Sequence, residues 1–136
     1  MPDKFSNDVR SRVMSRIRSR DTKPEKLVRS MIYSLGYRFR LHYKKLPGKP
    51  DLVLKKHQTA VFVNGCLWHQ HPGCKKAASP KSNNVYWDAK LAVNVERDKK
   101  NSKAIENSGW RCLIIWECET KDQEALQKKI KIFMDR

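Results

Sequence analysis

The sequence predicts an α/β domain, a mixed central β-sheet flanked by helices, and two observations carry that prediction. Apolar residues recur at helical spacing in some segments and alternate or run together as strands do in others. These segments follow one another in the order helix, three strands, helix, strand, helix, which suits a sheet covered by helices. At 136 residues, 39% of them apolar, the chain suits one compact core. We therefore read 1–136 as a single domain, with a basic arm over 1–20 and the core over 21–136.

In the arm, Arg10, Arg12, Arg16, Arg18 and Arg20 follow Val9 without an intervening acid. Val13 and Ile17 among them are spaced for a short helix with one apolar stripe, as expected of an arm that orders on a polyanion. Thr22, Pro24 and Glu25 form a helix-start signature, with Thr22 as cap, Pro24 in the first turn and Glu25 placed to close a capping box. That helix should run to about Leu35, bury Leu27, Val28, Met31 and Leu35, and stop at Gly36. Tyr37, Phe39, Leu41 and Tyr43 alternate with Arg38, Arg40 and His42, the period of a strand with one wet side. After a turn over Leu46 to Pro50, Asp51–Leu54 and Thr59–Asn64 read as a hairpin. Gly65 to about Asn84 has no periodicity and needs another source of order. Trp87, Leu91, Val95 and Ile105 mark a helix over Val85–Asn107, Trp110–Trp116 is a further strand, and Glu124–Met134 a closing amphipathic helix.

Thirty Lys and Arg against fourteen Asp and Glu give a formal charge of +16, which favours polyanions and nucleic acid first among them. The opening Met1-Pro2-Asp3-Lys4-Phe5 lacks the apolar run of a secretory signal, and no stretch has the length of a membrane span, so we expect a cytoplasmic, nucleoid-associated protein with no membrane partner. In that setting the four cysteines read as metal ligands plus one core thiol rather than disulfides. Cys66, His69, His71 and Cys74 fall within nine residues, a set that zinc can organise if one more ligand arrives from elsewhere. Cys118, just past an apolar strand, is the better placed candidate; Cys112, inside that strand, suits a buried thiol. Spacing leaves open whether His69 or His71 is the ligand. Hard magnesium asks instead for oxygen ligands, and Asp51 and Glu25 are the candidates, although an aspartate opening a strand is ordinarily a turn or capping residue.

The element order also fits a restriction-endonuclease-like core, and a longer match points the same way. Arg20-Asp21-Thr22 with Glu25, Leu46-Pro47-Gly48-Lys49-Pro50-Asp51, Gly65-Cys66 with Trp68-His69, Asn94-Val95-Glu96-Arg97-Asp98, and Gly109-Trp110-Arg111 through Ile115-Trp116-Glu117-Cys118 together resemble the very short patch repair endonucleases. The resemblance implies a magnesium site at Asp51 and the backbone carbonyl of Val63, with Glu25 holding water of that metal's shell. It implies that His69 activates the attacking water and is oriented by Asp98. Structural zinc then falls to Cys66, His71, Cys74 and Cys118. Met14, Leu67 and Trp68 match an apolar wedge inserted beside the mismatch, where a weakened pair lowers the cost of unstacking. Two positions depart from the family pattern. Asn64 stands where a histidine is usual, and an amide can hydrogen-bond a water there but cannot titrate near neutrality; Leu67 replaces an aromatic ring.

The activity implied is a magnesium-dependent nick on the 5′ side of the thymine in a T:G mismatch left by deamination of 5-methylcytosine. The implied partners are double-stranded mismatched DNA, a mismatch-repair protein and a repair polymerase, with a cytosine-5 methyltransferase as companion and a monomer as the working form. Two rivals are a double-strand restriction-type nuclease and a catalytically silent zinc-containing DNA-binding module. Asp51, Glu25, His69 and Asp98 together speak against silence.

Overall fold

The structure, a computed structural model, describes residues 22–77 and 84–135. The basic arm, with Met14 and its five arginines from Arg10 to Arg20, lies outside the described residues. Helix α1 spans Lys23–Ser34, with the Thr22 hydroxyl accepting from the Glu25 amide as cap and Pro24 in the first turn. Its buried face is centred on Val28 and Ile32, with Met31 and Leu35 packed at the margin. The face is thus rotated slightly from the expected stripe and includes Ile32. Glu25 lies on it too, which turns a residue expected to close the helix start towards the interior.

Strand β1 (Leu52–Leu54) and strand β2 (Thr59–Asn64) form the expected hairpin, joined by a 3-10 turn and by Gln58 in the left-handed region. Helix α2 (Asn84–Asn107) then returns the chain to strand β3 (Arg111–Trp116), which pairs parallel to β2, and helix α3 (Gln123–Met134) closes the fold. The sheet order is β1-β2-β3, antiparallel then parallel, as a mixed sheet requires. The expected strand over Tyr37–Tyr43 shrinks to a single bridge in which Arg40 and Val53 exchange both backbone hydrogen bonds. His42 at φ +57° takes the chain out of the extended conformation and ends the pairing. The alternation was still informative, since Tyr37, Phe39 and Leu41 pack against the core while Arg38, Arg40 and His42 are exposed.

Because strand side chains alternate, each strand feeds both faces of the sheet. Leu52, Leu54, Val61, Leu113 and Ile115 pack against Val28 and Ile32 of α1 and Leu126 and Ile130 of α3. Val53 and Ala60 face the other way, onto Ile105 of α2 and Leu46. The carboxyl ends of β2 and β3 therefore open between α1 on one side and α2 on the other.

Candidate active site and metal-ligand cluster

Asp51 sits at the mouth of β1, where its amide donates to the Val61 carbonyl at 3.0 Å. Its carboxylate accepts from the Val63 amide at 2.5 Å. In an extended strand the N–H and C=O of one residue leave on the same side, so the Val63 carbonyl also faces the side of β2 that carries Asp51. Glu25, 7% exposed, lines the same cleft and meets Arg29 at 3.3 Å. Burial first, and then the neighbouring Glu25 carboxylate, push the Asp51 carboxyl from 3.8 up to about 7, against the lowering effect of the Val63 amide. The two carboxylates line one cleft, and their oxygens could hold a cation there.

Across the cleft, His69 Nδ1 and Asp98 Oδ2 are 2.5 Å apart. Asp98 comes from the middle of α2, 29 residues further along the chain. With Nδ1 engaged, Nε2 is the nitrogen left for proton transfer. Asn64, buried at the end of β2, and Trp68 complete the wall beside His69. Trp68 lies close over Gly65, its Cδ1 within ordinary van der Waals reach, 3.4 Å, of where a Cβ there would sit. The Trp68 carbonyl accepts from the buried Asn94 amide of α2, and its ring packs against Trp87 with centroids 5.6 Å apart. Leu67 is only partly buried in the same turn. The cleft encloses about 300 Å³.

Behind it, one donor atom from each of Cys66, His71, Cys74 and Cys118 lies within 4.8 Å of the others, a group that could hold a metal ion. His71 Nδ1 is 3.3 Å from Cys118 Sγ and 3.7 Å from Cys66 Sγ, and its ring stacks on Trp116. Burial, reinforced by the nearby Cys118 and Cys74 thiols, pushes the Cys66 thiol up to about 12. The turn that carries Cys118 is held from both sides, because Glu119 accepts from the Trp116 amide at 2.9 Å and from Lys129 of α3 at 2.7 Å. Cys112 is elsewhere, packed on the α2 face with its sulfur 3.7 Å from Ser102 Oγ. The two histidines left open by spacing are thus divided between two settings, His71 among the cysteines and His69 against Asp98.

Several residues that line the cleft carry no site role in the sequence. Glu117, Lys49 and Gly48 line it, and Glu117 had a detectable signal, an acid directly after the apolar run that ends β3. A match over residues 2–76 to the family model for DNA mismatch endonuclease Vsr covers more than half of the sequence. The chain belongs to the Vsr family. It is 43% identical over 135 residues to the type II nicking enzyme V.XorIIP of Xanthomonas oryzae pv. oryzae, spanning 99% of this chain and 98% of that one. It is 36% identical over 126 residues to the DNA mismatch endonuclease Vsr of Escherichia coli, spanning 93% of this chain and 80% of that one. The catalytic domain of the homing endonuclease I-Bth0305I superposes with a TM-score of 0.58 at 23% identity over 83% of this chain and 94% of that domain, a likeness of fold. The core is therefore restriction-endonuclease-like, and the protein is a DNA endonuclease of the Vsr type. No helix among the described residues is long and apolar enough to cross a membrane.

Proposed function

We propose that this Vsr-family endonuclease nicks one strand on the 5′ side of the thymine in a T:G mismatch, using magnesium for the chemistry and zinc for structure. The observation that carries the reading is the meeting, at one cleft, of Asp51 and Glu25 from one side with the His69–Asp98 pair from the other. Asp51 and the Val63 carbonyl offer the hard oxygens that magnesium favours, with Glu25 placed to hold water of its shell. When bound, magnesium supplies charge neutralisation at the phosphoryl group. His69 accepts the proton of the attacking water at Nε2, and Asp98 fixes the ring and stabilises its charged form. Asn64 offers an amide to a water in the cleft without itself titrating.

Three sulfurs and one imidazole suit zinc. Bond lengths of about 2.3 Å to sulfur and 2.0 Å to nitrogen set ligands roughly 3.5 to 3.8 Å apart, close to the His71 contacts with Cys66 and Cys118. Trp68 and Leu67, with Met14 of the arm, serve as the wedge at the mismatch, and the arm's arginines neutralise phosphates. The substrate context is repair of deaminated 5-methylcytosine, with a mismatch-repair protein and a repair polymerase acting with a monomeric enzyme. A supercoiled plasmid carrying one T:G pair tests the reading. With magnesium, wild type should give an open circle, and His69→Ala should give at least about 100-fold less. Linear product would favour the double-strand nuclease, and intact plasmid the silent binder.

A further inference from the structure

We propose that a second cleft, on the α2 side of His69, is a subsite for the phosphate next to the scissile one on the cut strand, gripped by Lys49 and Arg97; the proposal rests on the nuclease reading above. This cleft encloses about 710 Å³, enough for a nucleotide unit rather than a lone ion. It shares His69, Asn64, Gly48 and Lys49 with the first, so a strand crossing His69 passes from one into the other. Their chemistry differs. The first carries Asp51, Glu25 and Glu117, whereas the second adds Arg97, the Asn101 amide and the Ser102 hydroxyl to the shared Lys49, its one acid, Asp98, being already engaged with His69.

Backbone geometry supports a purpose for Lys49. It adopts φ +51°, beside Gly48 at φ +81°, and a lysine in the left-handed region costs conformational energy that its surroundings must offset. Those surroundings are α2 itself, because a Cβ on Gly48 would lie 3.0 Å from Asn101 Cβ. The turn is thereby laid on the helix at the residue four places after Arg97, on the same face. A strained lysine is held where an arginine of the neighbouring element reaches the same cleft, and both are exposed for contact with a phosphate. Arg97 also donates to Asn94 at 3.0 Å, which orients its guanidinium on the helix surface.

The test replaces single phosphates of the cut strand with neutral methylphosphonates, one position at a time on either side of the nick. Wild type is compared with a Lys49→Asn, Arg97→Gln double variant; asparagine tolerates the left-handed backbone. Binding is read by fluorescence anisotropy on mismatched duplex without added magnesium, and nicking separately with it. One neutral linkage adjacent to the nick should weaken wild-type binding about tenfold yet change the variant less than about twofold. The variant's salt dependence of log K should also be shallower by about one. Equal losses in wild type and variant at every position would overturn the subsite. Coupling at one linkage without any nick would keep the phosphate contact of Lys49 and Arg97 and overturn the nuclease reading instead.

Discussion

His69 and His71 are two residues apart, yet one ring meets a carboxylate from α2 and the other lies among three cysteines. That division follows from long-range placement, which local spacing cannot report: Asp98 and Cys118 arrive from distant parts of the chain. The two alanine substitutions should accordingly fail in opposite ways. On the proposed zinc and mismatch reading, His69→Ala should keep metal and mismatch binding and lose cutting, and His71→Ala should lose metal first; elemental analysis beside a nicking assay would expose the reverse pattern. Asp51 offers a pH test. Its carboxyl is raised from 3.8 to about 7 in the folded chain, so the stability it contributes is full below about pH 4 and is lost as pH rises through 7. Without added magnesium, Asp51→Asn should therefore melt like wild type near pH 4 and be more stable at pH 8, by on the order of 1–3 kcal/mol, while cutting nothing. A variant less stable than wild type at pH 8 would show that the carboxylate is not held at a cost. On the role proposed for Asn64, an amide that only positions water, Asn64→His should leave nicking of the same order, and a large gain in kcat would contradict that role.

Among the elements, α1 and the end of α2 were legible because they are bounded by residues with one physical meaning, Thr22 and Pro24 at a start and Gly36 and Gly109 at stops. The strand expected over Tyr37–Tyr43 was not, since alternation reports which side chains are buried and says nothing of whether a partner strand is long enough to pair. Only the Arg40–Val53 bridge forms beside a β1 of three residues. Cys66, His71 and Cys74 of the loop after Gly65 meet Cys118, just past the end of β3. Cys66→Ala or Cys118→Ala should lose the metal and lower Tm by roughly 10 °C or more, given about 3–5 °C per kcal/mol for a domain of this size. Cys112→Ala, outside that cluster and beside Ser102 of α2, should keep the metal. Equal zinc content in wild type and Cys118→Ala would remove Cys118 from the ligand set.

For the whole molecule, a charge of +16 supplies affinity for any duplex, whereas discrimination has to come from the cleft and the wedge beside it. Composition could announce the first and never the second, because Trp68 reads alone as a core aromatic; the family resemblance makes it a candidate wedge, and it lines the cleft, where Asn94 donates to its carbonyl. Trp68→Ala should accordingly retain salt-sensitive binding to paired DNA and lose its preference for T:G. The central claim is strand-specific cutting beside that mismatch. The most direct measurement incubates end-labelled duplexes containing each of the possible mismatches, in several flanking sequences, with protein and magnesium, and maps every product on a denaturing gel. A single cut 5′ of the mispaired thymine, on that strand alone and absent from the matched duplex, is the predicted result; cuts in both strands, or equal cutting of matched DNA, would contradict it.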